Sequence, residues 1–131
     1  HVKQDFKTAA DYIRRMYELN NKIFSIITPN EKHIGNITLR FDYENNNVAI
    51  SILIGNKDYW GKGYAKDAIN VALDWLRKDT NMLYLTAGTM KLNIPMIKVF
   101  KTLGFELDED SKSFFDSGHR RVDMFYFRKK I

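Results

Sequence analysis

An apolar segment, a glycine-containing turn and an amphipathic segment follow one another in the middle of this chain. Val48–Ile54 is apolar except for Ser51, and its length is typical of a strand. From Tyr64 onward, apolar residues recur at steps of three and four, which is the pattern of a helix with one buried face. The turn between them contains Gly61 and Gly63. It therefore places free N–H groups and the positive end of a helix dipole beside residues without side chains, as a phosphate site requires.

Two common phosphate-binding motifs do not match this turn. A P-loop needs Ser or Thr after a Gly-Lys pair, and no Gly-Lys pair in this chain is followed by either. The dinucleotide-binding fingerprint needs a third glycine, but only Ala65 and Lys66 follow where the spacing requires it. The sequence therefore argues against a nucleotide triphosphatase and against a Rossmann dehydrogenase.

Composition limits the remaining possibilities. A length of 131 residues is sufficient for one domain with its own core, which we place at 1–131. The chain has no cysteine, which excludes a disulfide framework, a thiolate nucleophile and a cysteine-ligated metal, and we expect no metal site. No apolar run approaches the ~20 residues of a membrane span, and no secretory signal is visible, so we expect a cytoplasmic protein without a membrane partner.

The net charge of +5 has two interpretations. It can serve solubility alone, or it can attract a polyanionic ligand. The basic residues are scattered and do not form a stripe along one helix, which argues against nucleic acid. The chain starts at His1 without an initiator Met, which we interpret as a sign of a fragment.

Hydrophobic periodicity predicts an α+β domain with a mixed sheet, in the order α-β-β-β-α-β-α-β-β. Val48–Ile54 is expected to be a central strand buried on both faces. The predicted segments are a helix at Thr8–Leu19, strands at Lys22–Ile27, His33–Tyr43 and Val48–Ile54, a helix from Tyr64 to about Asp79, a strand at Met82–Ala87, a helix capped by Asn93 and ended by Gly104, and a last hairpin made of Ser113–Phe115 and Arg121–Arg128.

From about Thr8 to its end, the chain resembles the GNAT superfamily of N-acetyltransferases, and within it the branch of ribosomal-protein-alanine acetyltransferases. The segments that carry the resemblance are Ile50–Gly55, Tyr59–Ala65, Asn93, Phe100–Phe105 and Asp123. The resemblance implies a GNAT-like mixed, mostly antiparallel central sheet flanked by helices. The family's first strand and first helix are not found before Thr8, so we expect an N-terminally incomplete domain.

In the resembling family, acetyl-CoA is the cosubstrate, and the amides of the glycine turn hold its pyrophosphate. Its pantetheine arm lies in a gap between two strands. The resemblance thus implies that Ile52–Ile54 splays away from the Met82–Ala87 strand. The backbone groups of Leu53 and Ile54 would then pair with the pantetheine.

Three side chains on or near the last helix have two interpretations each. Asn93 caps the helix, and in the resembling family the matching side chain often reaches the pantetheine; both can hold at once. Lys98 and Lys101 could meet the 3′-phosphate of the coenzyme or could simply be solvated. The residues that the resemblance assigns to coenzyme binding are Leu53, Ile54, Trp60, Gly61, Lys62, Gly63, Tyr64, Ala65, Asn93, Lys98 and Phe100.

The implied reaction is direct attack of a primary amine on the thioester in a ternary complex, with a backbone N–H near Leu53 stabilising the oxyanion. The general acid is not evident, because the family's tyrosine on the last helix is replaced by Phe100. A glutamate common in this branch is replaced by Ala49. The remaining candidates for proton transfer through water are Ser51, Tyr84, Thr86 and Tyr43.

Other polar residues are interpreted as structural. His33 and His119 are expected to be structural, although the final hairpin, which contains His119, can border an acceptor pocket. Asp42 and Glu44 are expected in a solvated turn, although that loop could face an acceptor amine.

The candidate acceptors are an amino sugar, a protein N-terminus or a small amine, and a homodimer is common in the resembling family. The alternative hypothesis is a non-catalytic domain that binds or senses coenzyme A, which Phe100 and Ala49 motivate. A nucleic-acid-binding domain is motivated by charge alone.

Overall fold

The computed structural model describes residues 21–108, 114–115 and 121–131, with side chains at 21–108 and 123–131. The helix predicted at Thr8–Leu19 and His119 lie outside the described residues. Within these ranges the elements are β1 (Lys22–Ile27), β2 (His33–Asp42), β3 (Asn47–Ile54), a 3₁₀ turn (Lys57–Tyr59), α1 (Tyr64–Asp79), β4 (Tyr84–Met90), α2 (Ile94–Thr102), β5 (Glu106–Leu107), β6 (Phe114–Phe115), β7 (Arg121–Val122) and β8 (Met124–Lys130).

Six of these strands form one sheet in the order β1-β2-β3-β4-β8-β5. Only β3 and β4 run parallel, and α1 is the crossover that a parallel pair requires. The other neighbours in this sheet pair antiparallel. The strands β6 and β7 pair with each other in a separate two-stranded sheet. The predicted mixed, mostly antiparallel sheet is thus confirmed.

A row of apolar side chains crosses the large sheet in register and forms the floor of the core. Leu39 pairs with Ile50, Ile50 with Ala87, and Ala87 with Phe127, and each of the four is at most 5% exposed. Both helices contribute to the same cluster. Their buried core side chains are Ile69, Ala72, Leu73, Leu76, Ile97 and Phe100. This row therefore marks the face of the sheet that the two helices cover.

The prediction that the third strand is buried on both faces is wrong. Val48 and Ile50 on β3 are buried, whereas Ser51 is exposed and Leu53 is 67% exposed. Successive side chains of a strand point to opposite faces, and α1 and α2 lie on only one of them. A run of apolar residues such as 48–54 does not by itself reveal this alternation.

The largest differences between the predicted and observed strands lie in the second half of the chain. The strand predicted at Met82–Ala87 is Tyr84–Met90, because pairing with β8 continues to the end of β4. The last predicted strand, Arg121–Arg128, is divided at Asp123 into β7 and β8, which belong to different sheets. The strand β5 was not predicted, because two residues are too few to show a period.

Candidate active site

A gap opens inside the sheet where the two parallel strands part. Pairing between β3 and β4 ends at Ile50 and Ala87. Beyond that point β3 stays with β2 as far as Ile54, and β4 stays with β8 as far as Met90. The predicted splay of the third strand is therefore confirmed, and it begins at Ser51. Along this gap, backbone N–H and C=O groups that would otherwise form hydrogen bonds between the two strands can bind a ligand.

The backbone direction of β3 decides which residues can serve such a ligand. The carbonyl of Leu53 lies against Gly35 of β2, so close that a Cβ on Gly35 would be 2.0 Å from its oxygen. The N–H of Gly55 donates to the carbonyl of Ile34, also on β2. Because alternate residues of a strand direct their backbone groups to opposite sides, Ile52 and Ile54 direct theirs toward the gap. The backbone of Leu53 faces β2. The prediction that the backbone of Leu53 faces the gap is therefore wrong.

The glycine turn brings a helix N-terminus to the end of this gap. Gly61 and Gly63 have φ angles of 72° and 86°, in the left-handed region that favours glycine. Gly63 is the N-cap of α1 and, being glycine, has no side chain that could cap the N–H groups of the first turn. A Cβ at either glycine would meet nothing within 4 Å. The turn is therefore open on the side from which an anionic group can approach the free N–H groups.

Trp60 ties this turn to the strand that borders the gap. Its indole Nε1–H donates to the carbonyl oxygen of Ile54 at 2.7 Å. The intervening chain forms the short 3₁₀ turn, in which the side chain of Asn56 accepts a hydrogen bond from the N–H of Asp58. Trp60 remains 56% exposed and lines the cleft described below.

One cleft of about 850 Å³ joins the gap, the glycine turn and the first turn of α2. It contains every residue that we assigned to coenzyme binding except Lys62 and Phe100. Its lining residues are Ile52, Leu53, Ile54, Tyr59, Trp60, Gly61, Gly63, Tyr64, Ala65, Lys66, Asn93, Pro95, Met96, Lys98, Val99 and Thr102.

Several of these lining residues were not predicted. Met96 and Val99 both belong to α2, and an apolar side chain on a helix gives no sign in the sequence that it borders a ligand. Lys66 lies in the first turn of α1, where a cation is unusual beside the positive end of the dipole. That position is the signal in the sequence that could have added Lys66 to the predicted binding residues.

The two predicted residues outside the cleft have other surroundings. Phe100 is 2% exposed, and its ring lies 5.2 Å from the rings of both Phe105 and Phe127. It therefore belongs to the core, and its assignment to the cleft is corrected. The amino group of Lys62 lies 5.8 Å from the ring centre of Tyr59, which itself lines the cleft.

Asn93 is confirmed as a cap. Its side-chain oxygen accepts a hydrogen bond from the N–H of Met96 at 3.4 Å, which is long for such a bond. Asn93 also lines the cleft. On the same helix Lys98 lines the cleft, whereas Lys101 is exposed and does not.

Among the candidates for proton transfer, only Ser51 lies where the gap begins. Thr86 is on the paired part of β4, and its hydroxyl donates to the carbonyl of Val48 at 3.3 Å. Tyr84 opens β4, and the guanidinium of Arg128 lies 4.5 Å from its ring centre. Tyr43 lies just beyond the opposite end of β2, stacked on Phe41.

The polar residues interpreted as structural have local partners. The imidazole of His33 lies 2.8 Å from the carbonyl oxygen of Gly35 and 2.9 Å from the amide oxygen of Asn36. The carboxylate of Asp42 accepts a 2.7 Å hydrogen bond from the side chain of Asn45, which lowers the pKa of that carboxyl. Among the residues that the structure describes, no cluster of His, Cys, Asp or Glu could hold a metal ion. No helix in the described ranges is long and apolar enough to cross a membrane.

A gap between two parallel strands, with a helix start free of capping side chains beside it, can hold an extended ligand that has an anionic end. Residues 2–106 match the model of the acetyltransferase (GNAT) domain. The chain belongs to the GNAT family and is an acetyl-CoA-dependent acetyltransferase. The open glycine turn, the gap and the elongated cleft fit this cosubstrate.

Relatives of known sequence or structure agree with this family. The chain is 25% identical over 129 residues to the uncharacterized N-acetyltransferase p20 of Bacillus licheniformis, which covers 94% of this chain and 72% of that protein. Its fold is similar to that of a spermidine N-acetyltransferase from Vibrio cholerae, solved in complex with CoA and spermine. The TM-score is 0.81 at 17% identity, over 98% of this chain and 78% of that one. It is also similar to the ribosomal-protein-S5-alanine acetyltransferase of Vibrio fischeri, with a TM-score of 0.77 at 22% identity, over 91% and 67% of the two chains.

Proposed function

We propose that the protein transfers the acetyl group of acetyl-CoA to a primary amine by direct attack in a ternary complex. The observation that supports this proposal is the gap between β3 and β4, which begins at Ser51 and continues into the cleft with the glycine turn. A thioester placed in that gap would be accessible from both faces of the sheet. The coenzyme would occupy the side of the two helices, and the amine would approach from the other side.

The coenzyme would be held mainly by backbone groups. We assign its pyrophosphate to the free N–H groups behind Gly61 and Gly63, where the helix dipole adds favourable charge. We assign its pantetheine arm to the backbone of Ile52 and Ile54, which faces the gap. The carbonyl of Ile54 already accepts the hydrogen bond from Trp60, and its second lone pair can accept another.

The reaction needs orientation and one relayed proton. The amine nitrogen bonds to the carbonyl carbon of the thioester and loses a proton, the carbon–sulfur bond breaks, and the thiolate takes up a proton. A backbone N–H in the gap would stabilise the oxyanion formed on the way. Holding both reactants side by side supplies most of the acceleration. Ser51 is exposed at the start of the gap and is our candidate for a hydroxyl that relays the proton through water.

The acceptor is a small-molecule or peptide amine, and three classes are compared. Spermidine and an alanine of ribosomal protein S5 are the acceptors named for the two solved enzymes above. An amino sugar is the third class. A related spermidine N-acetyltransferase is described as dodecameric. We keep the homodimer as a proposal for this chain, and light scattering of the purified protein would test it.

The experiment mixes the protein with acetyl-CoA and with spermidine, an alanine-starting peptide or glucosamine, and follows the release of free thiol. We expect release above the amine-free control with at least one acceptor, and stabilisation against heat by acetyl-CoA alone. Stabilisation without thiol release for every amine would indicate the non-catalytic coenzyme-binding domain. Absence of both effects would refute the proposed site.

A further inference from the structure

The ring of Tyr126 lies directly on Gly88, across the strand pair β4–β8. The two residues are register partners. A Cβ on Gly88 would be 2.9 Å from Cε1 and 3.2 Å from Cδ1 of that ring, and 3.6 Å from the terminal methyl of Met124. Atoms that close do not coexist in a folded protein, so only glycine lets the ring lie there. Gly88 is also the first residue of β4 beyond its pairing with β3 at Ala87.

The ring therefore extends toward the gap and not along its own strand. The outer ring carbon Cε1 lies closer than the inner carbon Cδ1 to the point where a Cβ on Gly88 would be. The ring of Tyr126 therefore leans over β4. Neighbouring strands are about 4.8 Å apart, which is less than the length of a tyrosine side chain. From Tyr126 the side chain is therefore long enough to cross β4 in the direction of the gap.

Tyr126 lies on the face of the sheet opposite the coenzyme cleft. Ala87 and Phe127 face the helices, and successive side chains alternate, so Gly88 and Tyr126 face the other way. The cleft, by contrast, is bordered by Met96 and Val99 of α2. A group that enters the gap from the face of Tyr126 would therefore meet the thioester from the side not occupied by the coenzyme.

We propose that Tyr126 contacts the acceptor amine, and that Gly88 is a positioning residue that allows the phenol to reach it. This inference rests on the proposed function. A phenol hydroxyl can accept a hydrogen bond from an amine and donate one, and the ring face attracts a cation. Burial raises the pKa of Tyr126, so the phenol stays protonated at neutral pH and acts through hydrogen bonding and not as a base.

The test compares Tyr126→Phe, Tyr126→Ala and Gly88→Ala with the unchanged protein, using the best of the three amines above. In Gly88→Ala the atoms nearest the new methyl belong to the side chains of Tyr126 and Met124 and not to the backbone, so we expect the ring to be displaced while the strand is kept. We expect kcat/KM for the amine to fall roughly three- to tenfold in Tyr126→Phe and Gly88→Ala, because each loses one hydrogen bond to the amine. The fall should be larger in Tyr126→Ala, which also loses the ring. The KM for acetyl-CoA should remain within about twofold of the value for the unchanged protein. Acetyl-CoA should also still stabilise each variant against heat.

A control variant separates this role from a structural one. Gly55→Ala adds a methyl where nothing lies within 4 Å, and it should leave the amine kinetics unchanged. Equal loss for both substrates, or unchanged amine kinetics in Tyr126→Phe and Gly88→Ala, would overturn the inference while the proposed function stands. Absence of turnover by the unchanged protein would refute the proposed function and this inference with it.

Discussion

The indole of Trp60 and the carbonyl of Ile54 are joined by a 2.7 Å hydrogen bond, and both residues line the cleft. Ile54 ends the strand that borders the gap, and Trp60 immediately precedes the glycine turn. The bond therefore couples the part of the site proposed for the pantetheine to the part proposed for the pyrophosphate. Position 60 contributes through its side chain to the geometry of both.

Replacement of Trp60 by Phe should weaken binding of acetyl-CoA. The variant keeps an aromatic ring but loses the donor to Ile54, a loss worth roughly 0.5–1.5 kcal/mol at a partly exposed site. Calorimetric titration should therefore show a Kd that is up to about tenfold higher. Tyr43→Phe, which alters an aromatic residue at the opposite end of the sheet, should bind acetyl-CoA normally. Equal affinity of the Trp60 variant and the parent would contradict the coupling.

Alanine substitutions at the glycines with positive φ should distinguish an effect on folding stability from an effect on the binding of acetyl-CoA. Alanine at Gly61, Gly63 or Gly104 places a Cβ in the left-handed region, which costs roughly 1–2 kcal/mol of folding free energy each. Only the first two lie in the cleft, so only they should also lose affinity for acetyl-CoA. Thermal unfolding with and without acetyl-CoA measures both effects. A Gly104 variant that lost affinity as strongly as the Gly63 variant would argue against a cradle at the turn.

Two lysines of α2 can be compared to measure how much one positive charge contributes to the binding of acetyl-CoA. Lys98 lines the cleft, and Lys101 is exposed outside it. We expect Lys98→Ala to raise the KM for acetyl-CoA a few-fold and to reduce its dependence on salt, because one attraction to the anionic coenzyme is lost. Lys101→Ala should match the parent in both respects. The same response from both variants would mean that general charge, and not the position of Lys98, is responsible.

Phe100 should matter for stability. Its ring is 2% exposed and packs against Phe105 and Phe127, so Phe100→Ala should destabilise the fold by about 3–5 kcal/mol. Urea unfolding measures this, with Lys101→Ala as the exposed control on the same helix. A loss below about 1 kcal/mol would be inconsistent with a core position.

The turn after β2 should show a pH dependence set by Asp42. The side-chain hydrogen bond from Asn45, aided by backbone N–H groups of Glu44 and Asn45, lowers the pKa of Asp42 below its ordinary value of 3.8. Because the pKa of Asp42 is lowered on folding, ionised Asp42 contributes to stability at pH values above 3.8. This contribution is lost as the pH falls through the pKa of Asp42 in the folded state. Asn45→Ala should raise the pKa seen by carboxyl NMR titration. Asn70→Ala, on the exposed side of α1, should leave it unchanged.

Local patterns were sufficient for the elements that carry their own signal. The helix Tyr64–Asp79 has the predicted bounds, because its apolar stripe repeats within a few residues. The helix after Asn93 was predicted from a cap, a proline and a following Gly104, all of which act on neighbouring backbone. The glycine turn and its open helix start were likewise visible, since strand, turn and helix are contiguous in the chain.

The amino-acid sequence by itself thus determined the secondary structure around the site, the glycine turn and the family. The tertiary structure alone decided which groups face the gap. The pairing of β3 with β2 turns the backbone of Ile52 and Ile54 toward the gap and that of Leu53 away. The pairing of β4 with β8 places Tyr126 over Gly88. These relationships join residues distant in sequence, and register between strands is set by packing that no local period records.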